Sequence, residues 1–139
     1  MKVLSFLGPG AVFDHVGVAV RSIADVAGSD VEIVDDCRQG VSVAFVSLGG
    51  ATLELIQPLG EGSPVDSSLQ RGHTLVHLCF RVPSLDEAVA SARLCGLHRV
   101  ARPVPARAFD DRPIVWLFGR TVGLIELVED SPTSADRSS

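Results

Sequence analysis

Phe13-Asp14-His15-Val16-Gly17-Val18-Ala19-Val20-Arg21-Ser22-Ile23 lies without a gap over Leu75-Val76-His77-Leu78-Cys79-Phe80-Arg81-Val82-Pro83-Ser84-Leu85, at an offset of 62 residues (77 − 15). Histidine meets histidine, Val20 meets Val82 and Ser22 meets Ser84. Further along, Ala51-Thr52-Leu53-Glu54-Leu55-Ile56 lies over Gly123-Leu124-Ile125-Glu126-Leu127-Val128, which puts Glu54 and Glu126 in the same apolar setting. Each half therefore opens on a histidine strand and closes on a glutamate strand. Repetition decides architecture ahead of local propensity, because a small unit that cannot bury its apolar face alone packs against its copy.

The runs around these anchors spell one plan twice. Phe13 to Val20 is almost wholly apolar and reads as a buried strand. Ser22-Ile23-Ala24-Asp25 has helix-start spacing, but Gly28 follows so soon that the first helix must be very short. Val31 to Val34 reads as a strand and Asp35 to Gly40 as polar loop. Val41 to Leu48 and Ala51 to Gln57 form a hairpin around Gly49-Gly50.

After turn-rich Pro58 to Pro64 and a helical turn over Ser67 to Gln70, the strand Thr74 to Val82 leads to the capping sequence Ser84-Leu85-Asp86-Glu87. A helix with Leu85, Ala88, Val89 and Ala92 on one face then stops at Gly96. His98 to Ala101 is a short strand, Pro103 to Pro113 a proline- and arginine-rich loop with Asp110-Asp111 as turn residues. Ile114 to Phe118 and Gly123 to Val128 make the last hairpin. The expected fold is α+β, two βαβββ modules with the first helix shortened, on a curved, partly closed mixed sheet. Residues 1–12 are expected as an arm or extra strand, 13–60 and 74–130 as the modules, 61–73 as linker and 131–139 as a disordered polar tail. Histidine to glutamate spans 39 residues (54 − 15) in the first module and 49 (126 − 77) in the second, so the first is ten shorter.

A chain of 139 residues with 46% apolar and 21% charged residues suits one domain or two repeats sharing a core. Its net charge of −5 argues against a general nucleic-acid surface. Cys37, Cys79 and Cys95 are odd in number and lack CxxC spacing, so neither a disulfide framework nor a thiolate zinc site is expected, and a cytoplasmic compartment fits. Gly8-Pro9-Gly10 interrupts the apolar start at Val3 to Leu7 too early for a signal segment or membrane span.

Two imidazoles and two carboxylates form a neutral set around a divalent ion of borderline hardness, and inward side chains on four strands can supply it. A lone histidine in an apolar strand is usually a core residue, and a strand glutamate can face solvent. An acid facing a core, however, is costly unless paired, protonated or metal-bound. Repetition of both features at matching places favours a shared metal site made of His15, Glu54, His77 and Glu126. Arg71, Arg99, Arg102, Arg107 and Arg112 are either a solvated face or holders of a phosphate or carboxylate. His73 reads as solvated, Cys79 as core, and Trp116 as core or cavity wall.

The stretches Asp14 to Val20, Gly40 to Gly49, Leu53 to Gly60, Ser63-Pro64 and Gly123 to Leu127 resemble the vicinal oxygen chelate (glyoxalase/bleomycin resistance) superfamily. Within it they are most similar to the methylmalonyl-CoA epimerase group. The resemblance covers most of residues 13–129 and implies the paired-module fold, with metal ligands on His15, Glu54, His77 and Glu126. It implies a divalent cofactor (Co, Ni, Mn, Zn or Fe) and an isomerase or epimerase that works through an enolate on an α-substituted acyl thioester or related carbonyl compound, in a specialised biosynthetic setting. Some members place a glutamate base where Val43 stands. The candidates for the base are therefore Glu54 or Glu126 released from the metal, or hydroxide held on it. Alternatives are a glyoxalase-like lyase and a non-catalytic sequestering protein of the same fold. No membrane partner is expected, and by analogy the chain forms a homodimer.

Overall fold

The structure is a computed structural model and describes residues 2–130; the tail expected over 131–139 lies outside the described residues. Nine strands form one mixed sheet: β1 (Val12–Ala19), β2 (Val34–Asp36), β3 (Val41–Leu48), β4 (Ala51–Pro58), β5 (Leu75–Val82), β6 (His98–Arg99), β7 (Val104–Ala106), β8 (Arg112–Gly119) and β9 (Gly123–Glu129). Their order is β2-β3-β4-β1-β5-β9-β8-β6, with β7 paired to β8. Three short helices accompany them, α1 (Ile23–Ala27), α2 (Asp66–Gln70) and α3 (Leu85–Leu94).

The repeat survives as matching hydrogen bonds. β1 runs parallel to β4 with Gly17 opposite Glu54, and β5 runs parallel to β9 with Cys79 opposite Glu126. Each glutamate thus stands across from the residue two beyond its histidine. Ser22 Oγ accepts from Asp25 N at 3.2 Å and Ser84 Oγ from Glu87 N at 3.2 Å, so both helices carry the side-chain cap their sequences announce. The first N–H of each helix also meets the end of its module's last strand: Ile23 N donates to Gln57 Oε1 at 2.8 Å, and Leu85 N to Glu129 Oε1 at 3.0 Å. These bonds satisfy donors that no helix can pair internally.

By packing, the described residues divide into two compact units, 15–77 with 106–110, and 2–14, 78–105 and 111–130. The first has two apolar clusters, Ala19, Val41, Val43, Ile56 and Val65, and Val20, Ile23, Ala44 and Leu55. Its hairpin turns at Gly49 and Gly50, whose φ values of +58° and +82° are the left-handed pair such a two-residue turn needs. The second unit has one larger cluster, in which α3 packs Leu85, Ala88 and Ala92 with Val115, Leu117, Ile125 and Leu127.

Three segments differ from the sequence reading. Val3–Leu7 is a 3₁₀ helix that buries Phe6 in the α3 cluster, so the extra-strand alternative does not form. The strand expected over Val31 to Val34 falls at Val34–Asp36, where the β3 register and a 2.6 Å bond from Ser42 Oγ to Asp35 Oδ1 hold it. The loop expected from Pro103 to Pro113 contains β7 and a 3₁₀ helix, Arg107–Phe109. Pro105 is tolerated in β7 because a strand paired on one side needs no second row of donors.

Candidate metal centre

His15 on β1, Glu54 on β4 and His77 on β5 are all buried, at 0%, 5% and 6% exposure. Register puts Gly17 opposite Glu54, and alternation along β1 puts His15 on the same face as Gly17. The consequence is convergence. His15 Nε2 lies 3.3 Å from Glu54 Oε1, His77 Nε2 lies 3.4 Å from the same oxygen, and the two Nε2 atoms are 3.1 Å apart.

Space for the second imidazole comes from an absent side chain. A Cβ at Gly17 would collide with Cε1, Nδ1 and Nε2 of His77, so the His77 ring lies where any larger residue would project. Gly17 has no positive φ, and close approach alone is the reason for glycine there.

Aromatic rings wall His15. Phe109 stacks on it with centroids 5.9 Å apart and planes at 23°, and Phe45 meets it edge-on at 5.3 Å. Phe45 stands opposite Glu54 in the β3–β4 ladder and also contacts Phe109 at 6.0 Å. Neither phenylalanine is marked by a local motif. Phe45 had a faint signal in its hairpin position, whereas Phe109 arrives from a loop far along the chain.

Burial alone would raise the Glu54 carboxyl, but the hydrogen bonds and charges of His15 and His77 outweigh it and hold the group down at about 2. It is therefore an ionised oxygen donor facing two imidazole nitrogens. Three donors each about 2.1 Å from one cation, at tetrahedral to octahedral angles, lie about 3.0 to 3.4 Å from one another. The observed edges fall in that range, so the residues fit a divalent cation of mixed nitrogen and oxygen preference.

Glu126 is buried at 3% exposure on β9, opposite Trp116 of β8 and Cys79 of β5. Arg112 donates to the Glu129 carbonyl at 3.4 Å, while Arg71, Arg99, Arg102 and Arg107 are exposed. His73 is exposed and its backbone N–H bonds to Ser68 O at 2.8 Å. Cys37 is exposed, Cys79 is buried and Trp116 is half-buried. No helix among the described residues is long and apolar enough to cross a membrane.

A mixed sheet of repeated βαβββ modules with a buried imidazole and carboxylate set defines the vicinal oxygen chelate class. The description of the Glyoxalase/Bleomycin resistance protein/Dioxygenase superfamily matches residues 14–116, and the chain belongs to that superfamily. It is 32% identical to a mouse protein named methylmalonyl-CoA epimerase, mitochondrial, over 82% of this chain and 70% of that one. The structure of methylmalonyl-CoA epimerase from Mycobacterium tuberculosis superposes with a TM-score of 0.69 at 26% identity, covering 89% of this chain and 91% of that one. That of a single-substitution variant of Streptomyces coelicolor methylmalonyl-CoA epimerase, in complex with 2-nitronate-propionyl-CoA, gives 0.67 at 25% identity, covering 87% and 95%.

Proposed function

We propose that the protein is a metal-dependent epimerase that inverts the carbon next to the carbonyl of an α-substituted acyl-CoA thioester. The observation that carries this reading is the buried triangle of two Nε2 atoms and one carboxylate oxygen, with edges of 3.1 to 3.4 Å. Similarity to enzymes named methylmalonyl-CoA epimerase, which are isomerases, supports the reaction class. Glu126 is taken as the fourth donor because its register to Cys79 repeats that of Glu54 to Gly17. A non-catalytic sequestering protein would have no use for a buried ionised carboxylate between two histidines.

The residues divide the work as follows. His15 and His77 hold a divalent cation through neutral nitrogens, while Glu54 and Glu126 supply two negative oxygens that balance its charge. When bound, the cation stabilises, as a Lewis acid, the negative charge that develops on the substrate carbonyl oxygen. Glu54 or Glu126, turned away from its place among the donors, takes the proton from the α-carbon, and the electron pair of that C–H bond moves toward the carbonyl. A proton from solvent then adds to the opposite face of the α-carbon and the carboxyl releases its own proton to water, so the inversion leaves the proton count unchanged. A carboxylate held as low as Glu54 is a weak base until it leaves its imidazole partners. Phe109, itself buried, covers one face of the His15 ring, and Phe45 meets its edge.

Elemental analysis of protein purified without chelator tests the centre. Near-stoichiometric divalent metal is expected, lost in both His15→Ala and Glu126→Ala; an equal metal content in wild type and both variants refutes the site. For the reaction, incubation with methylmalonyl-CoA in deuterated buffer should place deuterium at the α-carbon, and Glu126→Gln with full turnover would remove that residue as the base. The same reading includes a cytoplasmic homodimer, for which sedimentation at twice the chain mass is the expected result.

A further inference from the structure

The 3₁₀ helix Arg107–Phe109 is poorly supported by its own sequence. Its N-cap is Ala106, whose side chain cannot accept a hydrogen bond, and it ends on Asp110 and Asp111 at φ +55° and +62°, left-handed values that non-glycine residues rarely adopt. What holds it comes from 71 residues earlier in the chain. Asp36, 2% exposed at the end of β2, accepts the Arg107 N–H on Oδ2 at 3.2 Å. The same carboxylate accepts from Gln39 N at 3.2 Å and Gln39 Nε2 at 3.0 Å, which fixes its orientation. Ala108 then rests against the cluster around Val41 and Val43, and Phe109 reaches the face of the His15 ring.

We propose that Asp36 is a positioning residue of the metal centre, acting as a long-range cap that seats Phe109 on His15 and so orients the His15 imidazole. Asp36 touches none of the three converging donor atoms and has no direct part in the chemistry. Its effect passes through one backbone N–H and one aromatic ring. This rests on the metal-centre reading above. A ligating imidazole held by its surroundings binds more tightly than one free to rotate, and loss of such support lowers metal affinity by about tenfold.

The test uses Asp36→Ala, which removes the acceptor, and Arg107→Pro, which removes only the donor at a helix position that suits proline. Co(II) affinity measured by calorimetry should fall about tenfold in each and in Phe109→Leu. The double variant Asp36→Ala, Phe109→Leu should bind no more weakly than Phe109→Leu, since both act on one path. Unchanged affinity in Asp36→Ala and Arg107→Pro overturns the proposal, as does a double variant whose losses multiply. A second readout needs no metal. In the wild-type apoprotein the stacked Phe109 ring should shift the His15 ring protons in the NMR spectrum, and that shift should vanish in Asp36→Ala and Arg107→Pro; its retention overturns the proposal. Wild-type protein that binds no Co(II) refutes the metal centre instead, and the NMR comparison then decides the Asp36 contact alone.

Discussion

The two packing units differ in what they bury. Of the seven buried polar side chains among the described residues, six (His15, Asp36, Ser42, Glu54, Ser63 and His77) lie within residues 15–77, and Glu126 is the other. The unit containing α3 instead encloses ten buried apolar residues in one cluster around a helix twice the length of α1. The unit around α3 encloses a conventional apolar core, and the other gives interior volume to donors and acceptors, His77 from the second module among them. Buried polar groups are tolerable only when partnered, so such a unit is held by hydrogen bonds whose loss is felt at the site.

This contrast predicts where each kind of substitution registers. Ile125→Ala, in the apolar cluster, should lower unfolding free energy by about 4 kcal/mol, read by urea titration, while the folded fraction keeps its metal stoichiometry. Metal loss in the folded fraction would mean that the apolar core also places Glu126, the next residue along β9. Gly17→Val puts a side chain into the place of the His77 ring. It should cost about 2 kcal/mol of stability and reduce Co(II) affinity by at least tenfold, whereas Cys79→Val at the equivalent position should cost less on both counts.

Asp36 sharpens the comparison through pH. Burial would raise its pKa, but bonds from the Gln39 side chain and from the backbone of Arg107, Gln39 and Arg38 bring it below the ordinary value of 3.8. A carboxyl depressed in the folded state stabilises fully above its unfolded value and loses that contribution as pH falls through the folded one. Asp36→Ala should therefore lose about 2 kcal/mol at neutral pH, with the deficit shrinking below about pH 4 in acid denaturation curves. The smallest effect tests the caps. Ser84→Ala should cost about 1 kcal/mol and Ser22→Ala less, because the shorter α1 has fewer turns to lose.

Much of this molecule could be read locally. Apolar runs located the eight-residue strands β1, β3, β4, β5 and β8, and Ser22 and Ser84 announced their helices. The spacing to Gly28 foretold a very short α1, which has five residues. Where local signals are weak, long-range contacts set the structure. β2 lies beyond the apolar run assigned to it because the bond that Asp35 accepts from Ser42 Oγ and the β3 register set its position. The segment after Pro103 carries no local helix signal, because Ala106 has no capping side chain and its cap is on another strand.

The amino-acid order by itself determined the doubled plan, the donor types and their spacing along each half, since strand alternation, helix caps and repeats are encoded within a few residues of one another. The tertiary structure alone decided that His15, Glu54 and His77 meet within 3.4 Å, that Gly17 vacates the volume of the His77 ring, and that Asp36 holds Phe109 against His15. These are contacts between segments tens of residues apart, and no periodicity encodes them: they follow from how strands pair in register and how side chains share the space between them.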